Sequence, residues 1–230
     1  MRFRWRVIWR GLGQRTEMRI VCMSDTHCLH RTIDVALEGD LLIHAGDFTF
    51  FSEEPHVLRD FNEWLGELRF RHRVVVPGNH ERVMYARPEV RRVIAKATLL
   101  INEAVTIEGV RLWGSPVTCD DEAFGCATAQ ERRALYASIP PDTDILITHG
   151  PPYGVLDTEF RGSGTSRGCT ELLAAVQRVR PQVHIFGHAR SGRGALRIGP
   201  TTFINAAMFG GSGDLEHRPI SFDFPLERRG

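Results

Sequence analysis

Five short segments of the 230-residue chain share one plan: a hydrophobic run stops abruptly at a residue able to hold a cation. They are IVCMSDTH with Asp25 and His27, LLIHAGD with Asp47, VVVPGNHE with Asn79, His80 and Glu81, ILITHGPP with His149, and VHIFGHAR with His188. Carboxylate, amide oxygen and imidazole without thiolate suit Mn²⁺, Fe²⁺, Co²⁺, Ni²⁺ or Zn²⁺ in a working site, whereas structural zinc usually takes cysteines. Asp25 and His27, two residues apart at a strand end, project to one side and can share an ion. Asp47 can bridge two ions through its two oxygens. With two cations roughly 3.5–4 Å apart, a bridging water loses a proton near neutral pH and attacks phosphorus in line. That chemistry is phosphoester hydrolysis by a metal-bound hydroxide. Taken singly, each residue has a plainer reading: Asp25 and Asp47 as loop caps, Asn79 as a turn residue, His149 and His188 as satisfied histidines. Five such coincidences are harder to accept than one site.

The elements that must position these residues follow from pattern. Strands are expected at 19–23, 41–44, 74–76, 99–102, 105–107, 110–113, 145–148, 183–186, 202–205 and 220–224. Helices are expected at 53–68, 88–97, 128–138 and 170–179; the first places Val57, Phe61, Trp64, Leu65 and Leu68 on one face. Many strands and few helices predict an α/β protein of two stacked sheets with helices outside. In α/β folds the carboxyl ends of strands hold the ligand, so the five ends are expected to meet at one rim. No repeat or low-complexity tract divides the chain, which reads as one domain over 18–230. Residues 1–17 are set aside as an extension of doubtful structure: five arginines against Glu17 give them +4 of a net +1, leaving −3 for the rest.

Composition narrows the function classes. A 42% apolar fraction fills a core, and 25% charged residues near balance predict neither a disordered chain nor a stable nucleic-acid partner. No apolar run is long enough to span a bilayer, so no membrane partner is expected. The five cysteines, Cys22, Cys28, Cys119, Cys126 and Cys169, show no C-x-x-C spacing, which fits a reducing cytoplasm better than a disulfide framework. The glycine-rich pieces at 161–168 and 210–213 match no dinucleotide fingerprint. Phe50, Phe51 and Tyr153 lie in loops where an aromatic ring can stack a base or simply pack.

In their order, D-x-H, GD, GNH(E), a lone His after a strand, and GH resemble the calcineurin-like metallophosphoesterase superfamily. FNEWLGEL at 61–68, DILITHGPP at 144–152 and GCTELLAAVQRVRPQVHIFGH at 168–188 resemble its small metallophosphoesterase-domain-containing branch, sometimes grouped with class III cyclic nucleotide phosphodiesterases. The resemblance runs from about Arg19 to Phe224. It implies an αββα sandwich of two packed mixed β-sheets flanked by helices. It also implies two divalent ions, Mn²⁺ first among them, with Asp25 and His27 on the first, Asp47 bridging, and Asn79, His149 and His188 on the second. His80 is then expected outside the metal shell beside the substrate phosphate, where it can protonate the leaving oxygen or steady developing charge. Glu81 is expected to orient His80. The family motif is usually GH-x-H, and here its second histidine is Arg190, which cannot ligate a cation. Three outcomes stay open: a weakened first site, which is favoured; an arginine that clamps a phosphate oxygen; or a one-ion centre. Asn79, His80 and Arg190 are the candidate substrate contacts. The expected activity is a phosphodiesterase acting on cyclic nucleotides or related small diesters. The alternative is a nucleotide-binding regulatory protein whose degenerate centre turns over weakly.

Overall fold

The computed structural model describes residues 15–34, 36–50, 55–119, 124, 126–159 and 165–226. Five strands, β1 (Glu17–Met23), β2 (Glu38–His44), β3 (Arg69–Val75), β4 (Thr98–Leu99) and β11 (Ile220–Pro225), form one sheet in the order β11-β1-β2-β3-β4. The other sheet contains β5 (Glu103–Ile107), β6 (Val110–Ser115), β7 (Ile145–Thr148), β8 (Val183–Phe186), β9 (Gly194–Ile198) and β10 (Thr201–Asn205), ordered β5-β6-β7-β8-β10-β9. In each sheet the inner strands run parallel, while β11, β5 and β9 are antiparallel at the edges. Both sheets are therefore mixed, as the resemblance implies.

Alternation along the inner strands builds three apolar layers. Ile20 and Cys22 of β1, Leu41 and Ile43 of β2, Ile145 and Ile147 of β7 and Ile185 of β8 fill the space between the sheets. The alternate residues face outward: Val21, Met23 and Leu42 pack with Leu58, Phe61, Trp64 and Leu65 of α1 (Pro55–Glu67). On the other side, Leu146, Phe186 and Phe203 pack with Tyr136 of α3 (Ala129–Ala137) and Leu172, Ala175, Val176 and Val179 of α4 (Thr170–Val179). Strands buried on both faces read as continuous hydrophobic runs, which is why these were legible.

Some expectations shift. β1 begins at Glu17 and Arg15 ion-pairs with the buried Asp40, so the fold takes in the end of the stretch set aside as an extension. The helix expected at 88–97 is a 3₁₀ segment over Pro88–Val93 that buries no residue, after a short α2 (Arg82–Ala86) that was not expected. A helix gains most of its stability from a buried face, and 88–93 offers only the half-buried Val90 and Val93. The strand expected at 99–102 closes after Leu99, and β9 was not anticipated.

Because β1, β2 and β3 are parallel, as are β7 and β8, their carboxyl ends lie on one edge of each sheet. Ser24 N donates to Ala206 O and His149 Nδ1 meets Ala45 O, tying the two edges together. That seam is where the candidate ligands stand.

Candidate metal centre

Four of the expected ligands sit on strained backbone. Asp25 (φ 56°), His27 (φ 42°), Asp47 (φ 55°) and His188 (φ 66°) all occupy the left-handed region. Asp and His tolerate that region better than most side chains, and such strain gathers where a site over-determines the backbone. Two motif glycines answer to close approach. A Cβ on Gly78 would lie 2.6 Å from Asp47 N and 2.8 Å from His149 Cε1, and one on Gly187 would lie 2.6 Å from Ser24 Cβ. The G of GN and the G of GH are thus room for the neighbouring ligands.

The hydrogen bonds assign the faces of two histidines. His149 is wholly buried and uses Nδ1–H on the Ala45 carbonyl, 2.9 Å away. Its Nε2 then faces Asn79 Oδ1 at 3.0 Å and Asp47 Oδ2 at 3.2 Å. A nitrogen lone pair opposed by two oxygens is repulsive unless a proton or a cation stands between them. Burial alone would lower the His149 pKa, but the Asp47 carboxylate raises it to about 10. Burial likewise opposes ionisation of Asp47, and His149 beside it nevertheless holds its carboxyl below the usual range. His27 is built the same way: Nδ1 meets Thr49 O at 3.0 Å, and Nε2 is buried with no hydrogen-bond partner. An imidazole held by a carbonyl on one nitrogen with the other left bare is the usual arrangement of a metal ligand.

Two groups of donor atoms result, sharing Asp47. In each of the sets His27, Asp47, His80 and Asp47, His149, His188, the atoms lie within 4.8 Å of one another. Asn79 joins the second through its contact with His149. Asp25 belongs to neither tight set; its Oδ2 accepts from Ser24 Oγ and His188 N, while its Oδ1 is buried without a partner. The donor set and these orphaned atoms fit divalent ions. His80 lies beside the same atoms: its Nε2 is 3.7 Å from Asp47 Oδ2 and its ring 4.6 Å from that of His27. Burial lowers its pKa to about 4.

Glu81 does not orient His80. Its carboxylate accepts from Gly78 N, Asp47 N, Thr49 N and Thr49 Oγ1, clamping the loop after β3 to the loop after β2. Sequence reasoning missed Thr49 and Ala45, whose carbonyls fix the two histidine tautomers. A backbone carbonyl leaves no mark in residue type. Cys28 is exposed and joins neither donor set.

Arg190 opens a 3₁₀ turn after His188, and its guanidinium lies 4.8 Å above the Phe209 ring. Phe209 in turn meets the His27 ring at 4.7 Å. Phe50 closes on His27 and His80 at 5.3 and 5.4 Å. Phe51 lies outside the described residues, as do 160–164.

Residues 18–189 match the model of the calcineurin-like phosphoesterase family. Metallophosphoesterase domain-containing protein 1 of Homo sapiens is 36% identical, covering 91% of this chain and 72% of its own length. UPF0046 protein K07C11.7 of Caenorhabditis elegans is 35% identical, covering 90% of this chain and 76% of its own. One solved crystal structure superposes at a TM-score of 0.61 over 90% of this chain and 99% of that one; at 14% identity it bears on the fold alone.

Proposed function

The chain belongs to the calcineurin-like phosphoesterase family, and from that premise we propose that it is a phosphodiesterase acting on a cyclic nucleotide or a related small diester. The family assignment covers metal-dependent phosphoester hydrolysis; the diester, the nucleotide and the choice of Mn²⁺ are our reading. One observation supports the metal dependence: His149 Nε2 is turned toward Asn79 Oδ1 and Asp47 Oδ2, a geometry that a cation satisfies in place of a proton. When bound, a pair of divalent ions supplies Lewis acidity and an activated water at neutral pH.

The chain's own residues do the rest. Asp25 and His27 would hold the first ion, Asp47 would bridge, and Asn79, His149 and His188 would hold the second. Thr49 O and Ala45 O keep His27 and His149 in the tautomers that leave Nε2 free for ligation. His80, neutral near pH 7 when its pKa is depressed, offers a ring N–H to a phosphoryl oxygen and steadies its developing charge. Phe50, itself 55% exposed, and Phe209 flank the first-ion side with apolar rings. Arg190, half-buried one ring away from His27, would meet the substrate and not an ion.

Purified protein supplied with Mn²⁺ should hydrolyse bis(p-nitrophenyl) phosphate and a cyclic nucleotide, and Asp47→Ala should abolish both activities. Tight nucleotide binding without turnover would overturn this reading and favour a regulatory protein built on the same pocket.

A further inference from the structure

Beside the donor cluster, a cavity of about 450 Å³ opens between the turn at 190–193 and the hairpin loop after Phe209. Its volume falls within the range of small-molecule sites. Arg190, Ser191, Phe209, Gly211, Ser212 and Glu216 contribute to its lining. Arg190 and Phe209 also belong to the wall of the first-ion side, so the cavity continues the candidate centre. The loop is held in shape: Gly210 N donates to Asp214 O, Glu216 N to Met208 O and Ser212 N to Glu216 Oε1. Among the described residues no carboxylate ion-pairs with Arg190. A planar guanidinium backed by an aromatic ring both pairs with a phosphate oxygen and stacks beneath another ring. Glu216, its carboxyl held below the usual range by the Ser212 amide, adds an acceptor for a hydroxyl or amine beside Arg193 and His217 of the same lining.

We propose that this cavity receives a ring-bearing organic group of the diester substrate, the base of a cyclic nucleotide or the second arm of an open diester, with Arg190 and Phe209 as its specificity-determining residues. The proposal rests on the phosphodiesterase reading and sharpens it, because it says where the ring beyond the phosphate is held; p-nitrophenyl phosphate, with a single ring, has no second ring to place there.

Gly211 provides the test. A Cβ added to it meets nothing within 4 Å and its backbone is not left-handed, so Gly211→Trp adds an indole to the cavity's lining without straining the fold. With Mn²⁺ bound, the ratio of kcat/KM for bis(p-nitrophenyl) phosphate to that for p-nitrophenyl phosphate should fall about ten-fold in Gly211→Trp, a loss of the size one pocket contact controls. Arg190→Met should lower the same ratio. In metal-free protein, where no turnover intervenes, calorimetric binding of bis(p-nitrophenyl) phosphate should weaken with Gly211→Trp. An unchanged ratio together with an unchanged Kd overturns the proposal. A wild-type protein that binds the diester through this cavity but never hydrolyses it overturns the phosphodiesterase reading and leaves the cavity's role standing.

Discussion

His149 holds a proton in the metal-free fold where an ion would stand. Its pKa of about 10 means that near neutral pH uptake of the second ion must expel that proton. Affinity at this site should therefore rise with pH up to about 10, by about ten-fold per unit while one proton competes. Calorimetry in buffers of different ionisation enthalpy should count about one proton released per second-site ion near pH 7. No release would show that His149 is neutral before the ion arrives. His80 poses a separate question, since its ring reaches the first-ion side of Asp47. If it serves the substrate, His80→Ala should lower kcat by about 10²-fold, at the lower end for a positioned proton-transfer group, with the metal content unchanged. A fall in ions bound per chain, measured by elemental analysis, would make it a ligand instead. The ligands themselves were legible because each is a polar side chain that ends an apolar run. The carbonyls of Ala45 and Thr49 were not, since any residue could supply them.

At the scale of elements, the clamp between two loops matters more than either loop. Glu81 joins the turn after β3 to the turn after β2 through four donors, three of them backbone amides. Burial, then the Asp47 charge, pushes its pKa up to about 8, against the four donors that favour the carboxylate. Glu81→Gln keeps the shape but turns an amide NH₂ toward groups that also donate. Each buried donor left unmet costs about 1–3 kcal/mol, so a loss of about 2–4 kcal/mol is expected in urea unfolding above about pH 8, where the wild-type carboxylate is ionised. Because Asp47 is held by the same clamp, metal binding should weaken as well. A variant of native stability would mean that the carboxylate is dispensable to the loops. Elements with two buried faces could be read from the sequence, as β2, β7 and β8 were. β9 could not: Ala195, Leu196, Arg197 and Ile198 are all exposed, so no alternation separates an inner from an outer face. It forms because β10 offers an open edge, a tertiary cause that leaves no local trace.

Across the whole molecule the two sheets repeat one device on their outer faces. Under α1, His44 of β2 packs against Phe48 and Phe61 and bonds Thr26 Oγ1 at 3.0 Å. Under α3 and α4, His184 of β8 packs against Phe186 and Phe203 and bonds Thr148 Oγ1 at 2.8 Å. Burial lowers both to about 3, so both are neutral in the native state over most of the acid range. An unfolded chain protonates the same rings near 6.5. Below that pH the unfolded state binds more protons, so the stability tied to each neutral ring is lost as pH falls from about 6.5 toward about 3, at about 1.4 kcal/mol per unit. Other groups titrate in this window, Glu81 with the opposite sign, so the total slope does not isolate one histidine. The difference between two proteins does. His184→Asn keeps a polar partner for Thr148 and removes one titrating ring. Between about pH 6 and pH 4.5 its unfolding free energy should fall less steeply than that of the wild type, by about 1.4 kcal/mol per unit. Equal slopes in urea titrations at matched pH would mean that His184 is already charged in the fold, and that the second sheet's outer layer admits water where the packing excludes it.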